Sequence, residues 1–302
     1  MWIRLFKYMA GQNIETGNPM TLTKNSVHNK YFQYQKTFQR TGDDASFILH
    51  SVRAMTARNP YARLWSAFID KFLLPDFWMS KGKHIISLIR KNPKPLSTKC
   101  GHDVTFPEFI QYVIKVGHQF TYWHQDKHWL PASDICDPCA LKPHIIGKQE
   151  SFLRDMIYIL KHIRLDYLLT KITSVNPTEF EINDIIDYNF QIFHCVENCI
   201  DVYELCKRIW KAFILNGYLP SDEPFPTNID KGSLNIKSFY ALVKGTRDKY
   251  NVTKEEFKGR RKHALVTAYK QIPRANMAAL KRLYKMDFKF FGYYSEPKFL
   301  DK

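Results

Sequence analysis

The sequence lacks several features that would define its class at once. It contains no run of about 18 apolar residues, the length of a membrane-spanning helix, and no internal repeat or low-complexity tract. Glycine and proline are scarce, with 12 and 15 of 302 residues, whereas aromatic residues make up 15%. The sequence therefore predicts no transmembrane span within these residues, and its composition is that of a folded chain with a sizeable core rather than a disordered one.

Acidic residues are too few to balance the basic ones. The 29 Asp and Glu accompany 45 Lys and Arg, which leaves a net charge of +16. An excess of this size predicts an anionic partner, such as nucleic acid, an anionic membrane surface, an acidic glycan or a phosphate-bearing cofactor, although an uncommitted basic surface is the alternative. No helix-turn-helix, RNP or zinc-finger signature is present, so nucleic-acid binding would rest on charge alone, and we expect no nucleic-acid partner.

The cysteines do not form a recognisable metal-binding pattern. Cys136 and Cys139 have CxxC spacing, which in some proteins marks zinc or redox chemistry. A zinc site would need a second pair, and Cys195 with Cys199 lies too far downstream for the usual spacings. We therefore expect no metal, and we interpret the six cysteines as buried thiols or as disulfides formed in an oxidising compartment.

Hydrophobic patterns predict an α/β fold in which a short parallel sheet is covered by helices. Short apolar strands are predicted at residues 52–57 and 145–148, each followed by a turn and a helix. The second half, from about residue 178, is predicted to be mostly helical and to be broken by a loop at residues 217–232. The stretch 74–103, which contains KNPKP, is predicted to be a surface excursion, and the T-x-x-E pattern at Thr105 and Glu108 predicts the start of a helix.

Arg58 and Ser66 are the first candidates for an anion site. Arg58 follows a predicted strand, Pro60 directs the chain away from it, and Ser66 lies in the helix that follows. A guanidinium and a hydroxyl placed in this way suit one phosphate group. An ordinary strand–turn–helix with a surface arginine is the alternative that these residues leave open.

The segment RNPYARLWSAFIDKF also resembles the 3′-phosphate motif of the Golgi carbohydrate sulfotransferases, the family of the chondroitin and dermatan 4-O-sulfotransferases and the HNK-1 sulfotransferase. That motif has the form R-x-P-[FY]-x-R-L-x-S-A-[FY]-x-x-K-F. Each of its fixed positions is filled here, by Arg58, Pro60, Tyr61, Arg63, Leu64, Ser66, Ala67, Phe68, Lys71 and Phe72.

Three later blocks resemble the same family in the same order. They are VTFPEFIQY at residues 104–112, a set of short motifs from His128-Trp129 to Asp155 and Tyr158, and a C-terminal block at residues 283–293. The resemblance covers most of residues 1–165 and 274–294. Residues 166–273 do not resemble the family clearly, and we predict that they are a divergent helical insertion within a single sulfotransferase domain spanning residues 1–302.

The resemblance implies a P-loop-NTPase-like sulfotransferase fold and transfer of a sulfuryl group from PAPS, the activated sulfate donor, to a glycan hydroxyl. It implies an acidic glycan acceptor of glycosaminoglycan type, or an N-glycan, and no metal. Arg58 and Ser66 would bind the donor's 3′-phosphate. Members of this family are type II proteins of the Golgi membrane with a lumenal enzyme domain, so a membrane attachment would come from an N-terminal anchor outside these residues. The oligomeric state is not implied.

The start of the sequence departs from the family pattern. In the family, a loop of the form PKxxxTxW supplies a lysine and a backbone cradle for the 5′-phosphosulfate; here Trp2 stands at the tryptophan of that loop and nothing precedes it but Met1. We therefore expect either a fragment of a longer protein or a degenerate copy. Trp2 would stack on the adenine, or else pack locally as a terminal hydrophobe. A catalytically inactive, sulfotransferase-like protein that binds acidic glycans is the alternative function.

Two histidines are candidates for the general base that must accept the proton of the acceptor hydroxyl. The resemblance places a Val-His pair between the donor loop and the 3′-phosphate strand, which here is Val27-His28. His128, beside Trp129, is the second candidate. A polar loop histidine at His28 and a packed structural pair at His128 and Trp129 are the respective alternatives.

Overall fold

The computed structural model of the chain describes residues 2–9, 17–22, 27, 50–117, 126–250 and 254–296. They divide into two compact units. The first comprises Met1–Arg58 and Asp137–Asp184, and the second comprises Asn59–Cys136 and Ile185–Lys302. The predicted insertion at residues 166–273 within a single domain stays a prediction, although the described residues of this range are mostly helical.

Helices dominate the chain. In chain order they are α1 (Trp2–Met9), α2 (Pro60–Phe68), α3 (Lys83–Ile89), α4 (Pro95–Cys100), α5 (Phe106–Gly117), α6 (Ala132–Cys136), α7 (Pro138–Leu141), α8 (Phe152–His162), α9 (Leu169–Thr173), α10 (Pro177–Gln191), α11 (Val202–Asn216), α12 (Ile236–Tyr250), α13 (Lys254–Lys270), α14 (Arg274–Leu283) and α15 (Lys285–Phe290). Short 3₁₀ and π-helical turns join several of them, among them π-turns at Ile69–Leu73 and Trp78–Gly82.

The first unit contains a parallel sheet of two strands, β1 (Ala54–Ala57) and β2 (Ile145–Lys148). The register pairs Ala54 with Ile145 and Ala57 with Lys148, so both strands end at the same edge. Within β1, Met55 and Ala57 are buried and the other two residues are exposed, as the alternation of a strand requires. The predicted short parallel sheet with covering helices and the helix-rich second half are confirmed, with β1 starting two residues later than predicted.

One hydrophobic cluster of the first unit is formed by helices. Leu5 of α1 packs with Met156 and Leu160, which are one turn apart on α8, and with Ile172 of α9. This packing explains why a short N-terminal helix is held although it is too short to be stable alone. Arg4 also joins α1 to the end of the 3₁₀ turn Pro19–Thr21, because its Nε donates to the Leu22 carbonyl at 2.7 Å.

The core of the second unit is built mainly from aromatic side chains. The ring centroids of Trp65 and Phe106 lie 5.0 Å apart, and those of Phe72 and Phe109 also lie 5.0 Å apart. Trp129 continues the cluster, 5.5 Å from Phe109. The first two pairs join α2 and its following π-turn to α5, so the apolar stripes of these segments pack on each other, and aromatic pairs at this distance add to simple burial.

The prediction that residues 74–103 form a surface excursion is wrong. The segment is helical, and it buries Trp78, Ile85, Ile86 and Cys100 completely. Its exposed residues lie mainly in the KNPKP turn and in the helix α4 that follows it. The turn residues led to the prediction, but α3 before the turn packs against α5, α4 after it packs against α3, and burial of that surface decides the outcome.

Cys100 forms a disulfide with Cys199 in the second unit. The next residue, Gly101, has a positive φ of 61°, and an added side chain there would strike the Trp78 carbonyl oxygen. Gly101 therefore ends α4 in a conformation that other residues adopt at a cost. The interpretation of the cysteines as disulfides or buried thiols holds for these two and for buried Cys206, whereas Cys136, Cys139 and Cys195 are exposed free thiols.

Candidate functional site

Arg58 lies directly after β1 and directly before the capped start of α2. The side-chain oxygen of Asn59 accepts hydrogen bonds from the backbone N–H groups of Tyr61 and Ala62, at 3.0 and 3.3 Å. Pro60 occupies the first helical position, where its missing N–H costs nothing. The strand, turn and helix predicted around Arg58 are therefore present. Because Asn59 already satisfies the first N–H groups, an anion near this turn would depend on side chains such as the half-buried Arg58.

The turn after β2, in the first unit, is organised by Asp155. The carboxylate accepts hydrogen bonds from the hydroxyl of Ser151, at 2.5 Å, and from the backbone N–H of Lys148, at 2.8 Å. These hydrogen bonds hold the pKa of Asp155 below its usual range, so the group is ionised at neutral pH. Gly147 permits the close approach, since an added Cβ would lie 3.3 Å from Cβ of Asp155. Lys148 is thereby fixed at the carboxyl end of β2, where sites of parallel sheets gather.

Within the second unit, Arg63 connects the helix that carries Ser66 to the loop that carries His128. Arg63 lies one turn before Ser66 and on the same face of α2. Its guanidinium donates to the carbonyl oxygens of Lys127, at 2.6 Å, and Leu130, at 2.5 Å. Those two carbonyls flank His128, so Arg63 anchors the loop that carries this histidine to the helix that carries Ser66.

His128 is oriented by Asp126. The two residues are joined by a 2.5 Å contact between His128 Nδ1 and Asp126 Oδ1, and the same oxygen accepts the backbone N–H of His128 at 2.9 Å. Burial alone would raise the pKa of Asp126, but the hydrogen bonds from His128 hold it below its usual value. The imidazole also meets the edge of Phe77, with ring centroids 5.3 Å apart, and its side chain is 30% exposed. A partly exposed imidazole with one nitrogen held by a carboxylate has its other nitrogen suited to proton transfer.

Other residues that carry the resemblance, such as Asp287 and Lys71, have structural roles. Asp287 is buried and accepts the backbone N–H groups of Ala132 and Ser133, both at 2.8 Å, so it caps α6. Buried Lys71 pairs with Asp76 at 2.5 Å and with Asp70 at 2.9 Å. The blocks at residues 58–72, 104–112, 128–136 and 283–293, apart from Arg58 itself, thus lie within the second unit.

Two predicted site residues have side chains outside the described part of the chain. His28 lies outside the described residues altogether, and so do its immediate neighbours except Val27. Trp2 begins α1, but its side chain is not among those described. The assignments of His28 as base and Trp2 as an adenine contact therefore stay predictions, as do those of Arg58, Ser66 and His128.

Asp126 and Arg63 were not assigned a functional role from the sequence. Asp126 is two residues before His128, and an Asp-x-His spacing is a signal that could have indicated a carboxylate oriented on the imidazole. Arg63 occupies a fixed position of the motif at residues 58–72, but nothing in the sequence indicates that its partners are backbone carbonyls of the loop around His128.

Two further features bear on the expectations about metal and membrane. Within the described ranges, no three or more His, Cys, Asp or Glu side chains are grouped so that they would hold a metal ion. Among the helices of those same ranges, none combines the length and the apolarity needed to cross a bilayer.

Comparison with known proteins identifies the family. Residues 1–185 match the sulfotransferase family. Carbohydrate sulfotransferase 8 of Homo sapiens is 33% identical over 176 residues, which are 56% of this chain and 39% of that protein. Carbohydrate sulfotransferase 14 of Danio rerio is 34% identical over 117 residues, 38% of this chain and 31% of that protein. Carbohydrate sulfotransferase 11 of Rattus norvegicus is 27% identical over 205 residues, 64% of this chain and 57% of that protein.

The aligned parts therefore span from about a third to just over half of these relatives' lengths. No solved structure matches the chain. The match over residues 1–185 covers the candidate positions Trp2, His28, Arg58, Ser66 and His128 and the sheet that orders the first unit. The chain belongs to the sulfotransferase family, and the relatives it resembles are carbohydrate sulfotransferases.

Proposed function

We propose that the protein transfers a sulfuryl group from PAPS to a hydroxyl group of a glycan. Its membership of the sulfotransferase family and its similarity to carbohydrate sulfotransferases support the reaction class and the acceptor class. Sulfuryl transfer asks a protein to hold an anionic donor rigidly and to meet the charge of the leaving group with fixed cations and N–H groups. The basic excess of this chain, with its net charge of +16, suits a bisphosphorylated donor and an acidic acceptor.

The observation that carries the donor proposal is the position of Arg58 between β1 and α2. A guanidinium at the carboxyl end of a parallel strand suits a phosphate group in bidentate geometry. Asn59 occupies the N–H groups at the start of α2, which leaves the side chains of Arg58 and Ser66 as the proposed partners of the 3′-phosphate. Trp2 is the proposed contact of the adenine.

Isothermal titration with adenosine 3′,5′-bisphosphate, the product form of the donor, tests this assignment. We expect the Arg58→Ala variant to lose affinity about a hundredfold, since a charged hydrogen-bonding partner of a phosphate is removed. Lys161→Ala, which removes an exposed positive charge from α8, is the matched control and should bind as the wild type does. Unchanged affinity in Arg58→Ala would refute the assignment, and absence of binding to the wild type would refute the use of PAPS by this chain.

The acceptor hydroxyl must lose a proton as it attacks the sulfur, and His128 and His28 are the two proposed bases. For His128, the contact with Asp126 supports the proposal, because it fixes the imidazole and favours the tautomer whose other nitrogen accepts a proton. For His28, the resemblance alone supports it. The variants His128→Ala and His28→Ala separate the two when each is assayed for turnover and for bisphosphate affinity. The base is the residue whose loss lowers turnover without lowering the affinity for the bisphosphate.

Binding of acidic glycans without catalysis is the second candidate function. A cleft in the second unit that is bordered by basic side chains of α11 and α13 favours it. A protein of this kind would bind a chondroitin oligosaccharide and show no measurable affinity for adenosine 3′,5′-bisphosphate, whereas the enzyme binds both.

We further propose that the chain acts in the Golgi lumen, attached to the membrane through an N-terminal anchor that lies outside residues 1–302. The disulfide between Cys100 and Cys199 supports a lumenal site, because such bonds persist in oxidising compartments. Fractionation of cells that express the full gene product, with protease protection of the Golgi vesicles, tests the location. Degradation by protease in intact vesicles would contradict it.

A further inference from the structure

The second unit contains a cleft of about 740 Å³, and of the candidate site residues whose side chains the structure describes, Arg58, Ser66 and His128 do not line it. Its volume lies within the range of roughly 300–1,000 Å³ that is typical of small-ligand sites. Its lining includes Arg208 and Lys211 of α11 and Arg260 and His263 of α13. On each helix these residues are spaced three apart, so each helix presents one continuous face to the cleft.

Several buried polar atoms of residues that line the cleft have no hydrogen-bond partner within the described part of the chain. The donors among them are Trp65 Nε1 and Arg260 Nη1; His102 Nδ1 and the acceptor Asp103 Oδ1 are also unpaired. Trp65 is only 6% exposed. Leaving a buried polar atom without a partner is costly, because the atom loses its hydrogen bonds to water and gains none in return. Several such atoms around one space indicate a ligand that supplies both acceptors and donors.

The charge around the cleft is positive. Asp103 is held by Arg90 at 2.9 Å, and Arg208 lies 3.4 Å from Glu204. Among the described residues, no acidic side chain pairs with Lys211 or Arg260. The ligand is therefore expected to carry a negative charge, which would meet the side chains of Lys211 and Arg260.

The walls of the cleft are apolar and include the rings of Trp65, Phe68 and Phe106. A bare inorganic anion would leave these rings and the acceptor oxygen of Asp103 without a partner. A sugar ring has an apolar face of C–H groups, hydroxyl groups that donate to an oxygen such as Asp103 Oδ1, and, when it is acidic, a carboxylate or sulfate for the cations. Each feature of the cleft has a counterpart in an acidic sugar.

We infer that this cleft binds an acidic sugar residue of the glycan acceptor, with Lys211 and Arg260 contacting its carboxylate or sulfate and the apolar wall of the cleft packing on its C–H groups. The inference rests on the proposed function for the identity of the glycan as acceptor. The binding itself requires neither donor nor catalysis, so it is measured separately from them.

Titration of the protein with an unsulfated chondroitin hexasaccharide, in the absence of donor, tests the inference. The double variant Lys211→Ala/Arg260→Ala should weaken binding about tenfold or more, because two charged contacts are removed. The control is Lys207→Ala/Lys262→Ala, which removes the same charge from exposed positions of the same two helices, and it should change the affinity less than about twofold. A hexasaccharide whose carboxyl groups have been reduced to alcohols should bind the wild type more weakly than the acidic one.

Equal weakening in both double variants would overturn the inference, since the hexasaccharide would then respond to general charge alone. Loss of adenosine 3′,5′-bisphosphate affinity in Lys211→Ala/Arg260→Ala would also overturn it, because the cleft would then bind the donor. Competition by inorganic sulfate as effective as that by the hexasaccharide would mean that no sugar is recognised. If the hexasaccharide fails to bind while the bisphosphate binds normally, the cleft assignment is wrong and the proposed sulfuryl transfer is unaffected.

Discussion

Arg63 and Asp126 hold different parts of the segment around His128. Arg63 holds the loop by its carbonyl oxygens at Lys127 and Leu130, and Asp126 holds the imidazole itself. The first contact positions a segment of backbone, while the second selects which imidazole nitrogen is available. The distinction matters because a substitution at Arg63 would release the backbone of the loop. A substitution at Asp126 would act mainly on the orientation of the histidine ring.

The first prediction concerns Asp126. Asp126→Asn keeps the size of the side chain but removes the negative charge, and the amide no longer selects the histidine tautomer. If His128 is the base, we expect turnover with labelled PAPS and a chondroitin acceptor to fall by about tenfold or more, with bisphosphate affinity unchanged. Asp134→Asn, at an exposed position of α6, is the control. Wild-type turnover in Asp126→Asn would move the base to His28.

The helical segment 83–117 depends on a cluster of charges around Arg90. The guanidinium binds Glu108 at 2.7 Å and Asp103 at 2.9 Å, and Glu108 in turn caps α5 through the Thr105 backbone N–H at 2.9 Å. The capping box predicted at Thr105 and Glu108 is thus confirmed. The structure adds the arginine, which ties the cap to the end of α3.

The second prediction is a dependence of stability on pH that comes from this cluster. Burial alone would raise the pKa of Asp103 and of Glu108, but the hydrogen bonds from Arg90 and from Ser97 or Thr105 lower both values. Carboxyl groups with lowered folded-state pKa values contribute stability above their unfolded pKa, and this contribution is lost as pH falls through the folded value. We expect the free energy of unfolding in urea to fall as pH drops below about 4.

Arg90→Met separates this effect from other carboxylates. At pH 7 the variant should be less stable by about 2 kcal/mol, since charged hydrogen bonds are lost, and its further loss of stability in acid should be smaller than that of the wild type. Lys91→Met, at the exposed neighbouring position, should follow the wild-type curve. Identical acid slopes for Arg90→Met and the wild type would contradict the assignment.

The third prediction concerns the disulfide that links α4 to the segment before α11. The bond closes a loop with a sequence separation of 99 residues. Cys199→Ser should lower the free energy of unfolding by about 2–4 kcal/mol under non-reducing conditions, because the unfolded chain gains freedom. Cys139→Ser, which removes an exposed free thiol, should leave stability unchanged. A reduced wild-type protein as stable as the oxidised one would show that the bond contributes nothing.

At the level of the whole chain, the net charge of +16 attracts any anion. The proposed cleft instead selects a ligand by its shape as well as its charge. Long-range attraction of exposed charges is screened within about 8 Å at physiological salt, but contacts in a partly buried cleft are screened less. Affinity for polyanions in general and affinity for a particular glycan should therefore respond differently to salt.

The fourth prediction follows from that difference. Random double-stranded DNA should bind weakly at about 0.15 M salt and should be released as salt rises towards about 0.5 M, with a steep logarithmic slope. The chondroitin hexasaccharide should lose much less of its affinity over the same range. Measurement of both by fluorescence anisotropy distinguishes the cases, and DNA that binds more tightly than the hexasaccharide at about 0.15 M salt would contradict the glycan assignment.

Local signals in the sequence were sufficient for several elements. The cap of α5 at Thr105 and the turn at Asn59-Pro60 were predictable, because each depends on neighbours within a few residues. β2 at residues 145–148 was predictable from its short apolar run, although its partner β1 lies far away in the chain. The motif at residues 58–72 likewise identified the family without any structure. Residues 74–103 were mispredicted because their exposed turn is a local feature, while the burial of Trp78 and Ile85 depends on a helix elsewhere in the chain.

The sequence by itself determined the family, the short parallel sheet and the candidate residues Arg58, Ser66 and His128. Only the tertiary structure decided that Arg63 anchors the loop of His128, that Cys100 pairs with Cys199, and that α11 and α13 enclose a basic cleft. The physical reason is the range of the interactions. Caps and turns are satisfied within one or two turns of the chain. A guanidinium, a thiol or a cleft wall finds its partner by packing, and sequence spacing does not encode that partner.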